Sequence, residues 1–230
     1  MNTPIVLLPG LMCDSRLFQP QINILSRDRT VIIAPVSGFN SVKEIASNIL
    51  ESLPNKFILV GLSFGGIVAL EILKMRQKEI QKLVLMDTSY FSEQKYISEK
   101  REAQILAVQN GDLEKVMIEE HIPNYLSNDK KDTTIAKLCK EMALDLGAQV
   151  FIQQSLALIG RDDQTEMLGS IEIPTLLLCG EHDKLCPVSV HQKMHKLIKK
   201  SSLSIIPKAG HLPTLESPKL TNRILCKWLN

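Results

Sequence analysis

A serine between two glycines is the first feature of this sequence that could do chemistry. The segment Gly61-Leu62-Ser63-Phe64-Gly65 has the pattern G-x-S-x-G, and it stands between an apolar run and a segment of helical periodicity. A turn this tight from strand to helix has no room for side chains two positions before and after the serine, which explains the glycines. The pentapeptide alone would also fit an ordinary glycine turn, but this context predicts that Ser63 is an exposed nucleophile.

A serine hydroxyl needs a neighbouring base, and the sequence contains five histidines. His211 is the favoured base because it follows the apolar run Leu203–Ile206, and sites in parallel sheets assemble at the carboxyl ends of strands. His191 and His195 lie four residues apart on a predicted helix and could form a metal pair, although no H-E-x-x-H pattern accompanies them. His121 is expected to be a solvated residue at a helix end.

The base in turn needs an acidic residue that orients it and stabilises its protonated form. Asp183 and Asp87 each follow an apolar run, so both could reach the same edge of the sheet. Asp183 is favoured over Asp87 because the order serine, aspartate, histidine along the chain is the one associated with this type of turn.

The elements that must position these residues follow from the hydrophobic pattern. Short continuous apolar runs alternate with segments of helical period, which is typical of parallel βαβ units whose strands are covered on both faces. A capping box at Ser41-Val42-Lys43-Glu44 and a proline after Ser217 predict the starts of two helices, the first running to Leu53. Six runs are predicted as strands: Ile5–Leu8, Thr30–Pro35, Phe57–Gly61, Lys82–Met86, Thr175–Cys179 and Leu203–Ile206.

One long segment interrupts the alternation between Asp87 and Ile173. A structureless loop of this length is uncommon in a compact domain, and the segment has helical periodicity instead. We therefore expect a helical lid at residues 90–169, inserted into a core formed by residues 1–89 and 170–230. The predicted lid helices are Tyr96–Val108, Leu113–His121, Thr134–Leu146 and Ala148–Ile159.

Composition excludes several classes of partner. The 27 basic and 25 acidic residues give a net charge of +2, so nucleic acid or an anionic membrane has no support, and the runs Asp129–Asp132 and Lys199-Lys200 are interpreted as solvated surface. Five cysteines without zinc spacing predict free thiols in a reducing compartment. No secretory signal pattern is present, and no continuous apolar run approaches the roughly 20 residues of a membrane helix. We expect a cytoplasmic monomer or homodimer without membrane insertion.

Four motifs in this order resemble the α/β-hydrolase superfamily: Pro9-Gly10-Leu11, Gly61–Gly65, Gly180-Glu181-His182-Asp183 and Ala209-Gly210-His211. The resemblance covers essentially the whole chain and is greatest to the small esterase and enol-lactonase branch, whose members carry a helical lid. It implies a doubly wound sheet of about six parallel strands, and an oxyanion hole made by the backbone N–H groups of Leu11 and Phe64. Two departures are Pro9, where many relatives have histidine, and the apparent lack of the usual antiparallel strand pair.

The function that this resemblance implies is hydrolysis of a small carboxylic ester, as in a carboxylesterase or lactonase. Ser63 would form an acyl-enzyme, with His211 as base and Asp183 orienting the histidine, and neither a metal nor an organic cofactor is required. Thioester, amide or carbon–carbon bond cleavage remains possible, as does a receptor or signalling module that retains the three residues. Specificity is expected in the lid, where packing among helices is nevertheless the commoner role of each apolar residue that we consider for the pocket: Leu106, Met117, Phe151 and Leu158.

Overall fold

A six-stranded parallel sheet forms the centre of the protein. The computed structural model describes residues 2–127 and 133–229, with only the backbone of Thr133, so the charged run Asp129–Asp132 lies outside the described residues. The strands are β1 (Ile5–Leu8), β2 (Val31–Ile33), β3 (Phe57–Leu62), β4 (Ile80–Met86), β5 (Thr175–Gly180) and β6 (Ser201–Ile206). Their order is β2-β1-β3-β4-β5-β6, and every neighbouring pair is parallel. The prediction of six parallel strands is confirmed, and the described residues contain no antiparallel strand.

The order of the strands explains where a site can form. The chain leaves β1 for the edge strand β2 and then returns to place β3 on the other side of β1. The loops that follow β1 and β3 therefore diverge, and ligands of open α/β sheets bind in the crevice at such a reversal. β1, β3 and β5 are buried at every residue, as predicted for strands covered on both faces, whereas the edge strand β6 exposes Ser202 and Ile205.

Helices cover the sheet and fill the segment between β4 and β5. They are α1 (Gln19–Leu25), α2 (Val42–Leu50), α3 (Phe64–Arg76), α4 (Lys95–Gln109), α5 (Leu113–Val116), α6 (Ile122–Tyr125), α7 (Thr133–Ile159), α8 (Thr165–Leu168), α9 (Val188–Leu197), α10 (Pro213–Glu216) and α11 (Pro218–Leu229). Two short 3₁₀ helices occupy Ser15–Phe18 and Gln77–Glu79.

The helix start predicted at Ser41 is confirmed, with Ser41 as the N-cap of α2. The Ser41 hydroxyl accepts the Glu44 N–H at 3.2 Å, which is the serine half of the capping box. The Glu44 carboxylate accepts the Ser41 hydroxyl at 2.8 Å and not the Ser41 N–H, so the reciprocal half of the box differs from the prediction. The helix ends at Leu50 rather than at the predicted Leu53, because Pro54 disfavours helical backbone in the residue before it.

Helices α4 to α8 make up the insertion, and their number and bounds differ in part from the prediction. The predicted helix Leu113–His121 is instead α5 followed by a π-helical turn, Met117–His121, and then α6. A π turn holds one extra residue and redirects the side chains that follow it. The two helices predicted on either side of Gly147 form α7, whose backbone leaves helical geometry at that glycine (φ 82°, ψ 172°).

The two ends of the insertion lie side by side. The Gln164 backbone N–H donates to the Tyr90 carbonyl at 2.7 Å, and the Gln164 side chain donates to the Glu71 carboxylate of α3 at 3.0 Å. The insertion thus leaves and rejoins the sheet at one place, which is the geometry that a lid at residues 90–169 requires. The boundaries of that lid stay a prediction.

One helix in the described residues is long and apolar enough, by length and composition, to cross a membrane. It spans Thr134–Ile159, 26 residues with a mean hydropathy of 1.3. Polar and charged side chains interrupt its apolar pattern, so it contains no continuous apolar run of membrane-spanning length. In this structure the helix is broken at Gly147 and packs against α4, α5 and α6, with Cys139, Met142 and Phe151 buried.

We predict that the close approach of α3 to β1 tolerates only glycine at position 65. A Cβ atom added there would collide with the backbone carbonyl of Leu8, which cannot rotate away. Gly65→Ala should lower the free energy of unfolding by about 3 kcal/mol or more, and the melting temperature by about 5 °C or more.

Gly169→Ala is the matched control, because its added Cβ would lie 3.6 Å from the nearest atom, an ordinary contact. Its melting temperature should stay within about 2 °C of the wild type. Equal melting temperatures for the two variants in a calorimetric scan would contradict the steric argument.

Candidate active site

Ser63 lies at the turn between β3 and α3, in a backbone conformation that side-chain-bearing residues seldom adopt (φ 55°, ψ −117°). Its N–H donates to the Met86 carbonyl at 2.9 Å, and the Thr88 hydroxyl donates to the Ser63 carbonyl at 2.7 Å. A Cβ atom added at Gly61 would collide with the backbone of Gly65, so the glycine spacing is a steric requirement of the turn. Contacts from β4 and its following loop hold the strained residue in place.

The structure brings the three residues predicted for the chemistry together. His211 Nε2 lies 2.8 Å from the Ser63 hydroxyl, and His211 Nδ1 lies 2.8 Å from Asp183 Oδ2. Because a carboxylate only accepts, the Nδ1–H donates to Asp183 and Nε2 is left to accept the Ser63 proton. His211 and Asp183 are both buried, so this chain of hydrogen bonds is shielded from water.

Asp183 is held as a carboxylate. Its second oxygen accepts the backbone N–H groups of Leu185 at 2.8 Å and Cys186 at 3.0 Å. Burial by itself would raise the pKa of Asp183, but the electrostatic interaction and hydrogen bond with His211, together with these two N–H groups, lower the pKa below its usual value. The residue is therefore ionised at neutral pH.

Asp87, the rival acid, lies nearby in a different state. It is fully buried, one oxygen accepts the Gly180 N–H at 2.8 Å, and the other has no hydrogen-bond partner among the residues that the structure describes. Burial, and then the negative charge of Asp183, raise the pKa of Asp87 well above its usual value. Of the two buried carboxyl groups it is thus Asp183 that carries the charge and the hydrogen bond to His211.

Two backbone N–H groups beside the nucleophile have no acceptor. Leu11 and Phe64 line the same cavity as Ser63, and among the described residues neither donates a hydrogen bond from its backbone. Phe64 is the first residue of α3, where backbone N–H groups are unpaired and the helix dipole is positive. The pair predicted as an oxyanion hole is thus available to a ligand.

The loop that carries Leu11 is fixed from the insertion. Gln154, a buried residue of α7, accepts the Met12 N–H at 2.9 Å and donates to the Val36 carbonyl at 2.9 Å. Met12 itself has a positive φ of 52°. Sequence analysis missed Gln154, whose only signal is a polar side chain within an apolar helical pattern.

A second missed residue supports the histidine loop. The buried Glu216 carboxylate accepts three backbone N–H groups: Gly210 at 2.8 Å and Leu212 at 3.4 Å, on either side of His211, and Ser127 at 2.9 Å, from the end of α6. One side chain therefore ties the loop of the base to the insertion. Its only signal in the sequence is a glutamate five residues after the histidine, and this spacing does not predict the three bonds, which form only in the folded loop.

The insertion also supplies walls of the cavity, which has a volume of about 180 Å³. The Tyr125 ring stacks on the His211 ring at a centroid distance of 5.9 Å, and the backbone carbonyl of Tyr125 accepts the His211 backbone N–H at 2.8 Å. Of the four apolar residues considered from the sequence, Leu158 alone lines this cavity. Met117 and Phe151 are buried in the core, and Leu106 is 61% exposed, so its assignment to the pocket is wrong.

His121 is a further correction. It lies in the π turn and lines the cavity, and its ring contacts Phe151 edge-on at 5.6 Å. Its Nε2 is buried and has no hydrogen-bond partner within residues 2–127 and 133–229. Burial, and then the charge of Arg101, lower the pKa of His121 to about 4. The prediction of a solvated helix end is wrong, because the extra residue of the π turn redirects the side chain inward.

His191 and His195 do not form a metal pair. His191 is buried and its Nε2 accepts the Thr88 N–H at 3.2 Å, whereas His195 Nδ1 lies 2.7 Å from the Ser201 hydroxyl. Burial lowers the pKa of His191 to about 4, which keeps it a neutral acceptor.

Among the described residues, one group of potential metal ligands is compact: Asp183, Cys186 and His211, with ligand atoms within 4.8 Å of one another. The hydrogen bond between Asp183 and His211 already occupies two of them. Burial, and then the charge of Asp183, raise the pKa of Cys186, so the third is a protonated thiol. All five cysteines are free, as predicted.

A larger surface hollow of about 520 Å³, around Met75–Ile80 and Glu172-Ile173, contains none of these residues. It lies at the amino-terminal ends of β4 and β5, the opposite edge of the sheet from Ser63. The small cavity at the carboxyl edge is therefore the candidate active site.

Comparison with known proteins gives consistent matches along the whole chain. The sequence is 27% identical over 238 residues to the "Putative 2-succinyl-6-hydroxy-2,4-cyclohexadiene-1-carboxylate synthase" of Bacillus subtilis (strain 168), covering 96% of this chain and 84% of that protein. It is 27% identical over 235 residues to the pimeloyl-[acyl-carrier protein] methyl ester esterase of Legionella pneumophila (strain Corby), covering 94% and 91%.

The fold matches a thermophilic esterase from Thermogutta terrifontis (malate bound) with a TM-score of 0.90 at 24% identity, covering 100% of this chain and 90% of that one. The family model described as "Serine aminopeptidase, S33" matches residues 37–218, well over half of the 230 residues, and these include Ser63, Asp183 and His211. The chain therefore belongs to this family of α/β hydrolases.

Proposed function

We propose that this protein is a serine hydrolase of small carboxylic esters that works through an acyl-enzyme on Ser63. The observation that carries the proposal is the continuous chain from the Ser63 hydroxyl through His211 to Asp183, at 2.8 Å for each hydrogen bond. Two unpaired backbone N–H groups, those of Leu11 and Phe64, adjoin the same serine. This combination is what acyl transfer requires.

In the proposed reaction, His211 Nε2 takes the hydroxyl proton as Ser63 Oγ attacks the ester carbonyl. The negative charge that develops on the carbonyl oxygen is stabilised by the N–H groups of Leu11 and Phe64, and Asp183 stabilises the protonated histidine. His211 then donates its proton to the departing alcohol. A water molecule, deprotonated by His211, attacks the acyl-enzyme and releases the acid. No step needs a metal or an organic cofactor.

An ester is the preferred substrate among several that this machinery could cleave. One relative is named a methyl ester esterase and a structural neighbour an esterase, and lactones share the ester bond. Thioesters, amides and carbon–carbon bonds are the alternatives, since the same nucleophile and base serve them in this fold. A receptor or signalling module that retains the three residues would show almost no turnover of a p-nitrophenyl ester, so that assay separates it from an enzyme.

The proposal includes the setting of the reaction. Residues 90–169 act as a lid that shapes the cavity, and the substrate is a small molecule rather than a nucleic acid. The free cysteines suit a reducing cytoplasm, where the protein works as a monomer or homodimer without inserting into a membrane.

Covalent labelling tests the nucleophile. Phenylmethylsulfonyl fluoride should modify Ser63 and abolish turnover of p-nitrophenyl acetate. Ser63→Ala should lower kcat by several orders of magnitude, because it removes the hydroxyl that His211 Nε2 activates, and burial raises the pKa of the neighbouring Cys186 thiol. Mass spectrometry of the labelled protein checks the position. An adduct on another residue, or a Ser63→Ala variant with near-normal kcat, would refute the assignment.

Paired substitutions test which aspartate orients the base. Asp183→Asn should lower kcat by about 10⁴, the loss measured for the corresponding change in a protease triad, because the amide favours the wrong histidine tautomer. Asp87→Asn should lower kcat by less than about 10-fold, because Asp87 has a raised pKa and its amide isostere still accepts the Gly180 N–H. The opposite ranking in steady-state kinetics would assign the acid to Asp87.

A third test concerns Glu216 as a positioning residue. Glu216→Gln leaves at least one buried N–H without an acceptor, so the free energy of unfolding should fall by about 1–3 kcal/mol. Displacement of His211 should lower kcat about 10-fold with little change in KM, at temperatures where the variant is fully folded. Glu181→Gln is the matched control, since that exposed carboxylate accepts the Lys208 N–H of the same loop at 3.0 Å. Equal kcat values for the two variants would exclude the role.

A further inference from the structure

Three charged side chains lie together in the wall of the active-site cavity, and the proposed mechanism uses none of them. Arg101 of α4, Glu93 of the loop before α4, and Arg161 just after α7 line the same cavity as Ser63 and His211. Their side chains are 12%, 3% and 8% exposed, respectively. We call these three residues the arginine cluster.

The hydrogen bonds of the cluster leave most of its donors free. The two carboxylate oxygens of Glu93 each form an ion pair with one arginine. Arg101 Nε lies 3.1 Å from one oxygen, and Arg161 Nη2 lies 3.3 Å from the other. Arg161 Nε donates to the Phe91 carbonyl at 2.9 Å. Each guanidinium has five N–H donors, so the majority of the ten have no acceptor among the described residues.

The charges of the cluster do not balance. Two guanidinium groups face one carboxylate, and within the described chain neither arginine pairs with a second acidic residue. The nearby Glu120 is engaged by Lys100 at 3.2 Å and by Gln104 at 2.9 Å. An uncompensated buried charge is costly, and it is tolerated where a ligand of opposite sign completes the site.

We propose that the arginine cluster binds a carboxylate of the substrate, so that the enzyme acts on small esters that carry a carboxylate group besides the ester. The inference rests on the proposed function, because Ser63 in the same cavity performs the chemistry. A carboxylate matches the planar fork of a guanidinium, and one negative charge neutralises the excess of one positive charge. A phosphate dianion would leave an excess of negative charge.

The size of the cavity limits the substrate to a short chain. Its volume of about 180 Å³ is well below that of pockets that enclose drug-sized ligands, about 300–1,000 Å³. A monoester of a dicarboxylic acid with about four to six carbons has the required functional groups on a short chain.

A purely structural role for the cluster makes different predictions. The bond from Arg161 to Phe91 joins the two ends of the insertion, so the cluster could serve only as a latch. A latch affects charged and neutral substrates alike. A carboxylate site favours the charged substrate over the neutral one. Replacing a positive residue of the cluster should lower this preference, and replacing the negative residue should raise it.

The test compares esters that differ only in charge. Monomethyl succinate, glutarate and adipate are each paired with the neutral ester in which an amide replaces the free carboxylate, and kcat/KM is measured by methanol release. For at least one chain length the wild type should favour the anion about 10-fold or more. Arg101→Gln should lower this ratio about 10- to 100-fold, since it removes charge-assisted hydrogen bonds, and Arg101→Lys should lower it less. Glu93→Gln should raise it, because it removes the competing negative charge.

Lys95→Gln is the matched control. It removes one positive charge from an exposed position of the same helix, and it should change neither the ratio nor the activity. A wild-type ratio near one for all three chain lengths, or a ratio unaltered by Arg101→Gln, would overturn the proposal.

Binding to Ser63→Ala separates the two proposals. Calorimetry of succinate, glutarate and adipate with this variant should show binding that Arg101→Gln weakens about 10- to 100-fold, with or without catalysis. Glutarate binding without hydrolysis of any ester would retain the carboxylate site and refute the esterase. Equal hydrolysis of charged and neutral esters would retain the esterase and refute the site. Inorganic phosphate that competes more strongly than all three dicarboxylates would assign the cluster to phosphate and refute the carboxylate proposal.

Discussion

The site depends on one close approach, that of the turn after β3 to the end of β1. Gly65 lies against the Leu8 carbonyl with no space for a side chain, and Gly61 lies against Gly65 in the same way. This contact fixes Ser63 at a positive φ and starts α3 directly after it, so that the Phe64 N–H and the loop carrying Leu11 come to the same cavity. The position of the nucleophile and that of the Phe64 N–H thus follow from a single steric constraint, whereas the Leu11 loop also needs the bond from Gln154 to Met12.

The insertion contributes as much to positioning as to enclosure. Gln154 of α7 binds the backbone of the loop after β1 and of the loop after β2, and Glu216 binds the backbone just after α6 together with the loop of His211. These bonds are buried, and a buried polar group without its partner costs about 1–3 kcal/mol. The loops of the sheet and the helices over them are therefore held in one arrangement, and a shift of the insertion would displace the base.

Burial and charge give similar residues different states at this site. Asp183 and Asp87 are both buried, yet the contact with His211 lowers the pKa of the first, while desolvation and the charge of its neighbour raise the pKa of the second. His121 and His191 are neutral because burial lowers their pKa values to about 4. The arginine cluster keeps an excess positive charge in the same cavity, which is the physical basis for discrimination by substrate charge.

The sequence by itself determined those features that depend only on residues close together along the chain. The G-x-S-x-G spacing, the six apolar runs and the Ser41 N-cap are local constraints, and the structure forms each of them where the sequence predicts it. Tertiary structure decided what depends on neighbours far along the chain. It places Asp183, and not Asp87, in hydrogen-bond contact with His211, and it turns His121 inward through a π turn. It also leaves Leu106 exposed to solvent and places Arg101 and Arg161 on the same carboxylate, that of Glu93. The hydrophobic period that predicts a strand or helix is a property of a few neighbouring residues. The pKa of a buried group and its hydrogen-bond partners depend instead on contacts between residues many tens of positions apart. Those contacts exist only when the sheet and its insertion have packed.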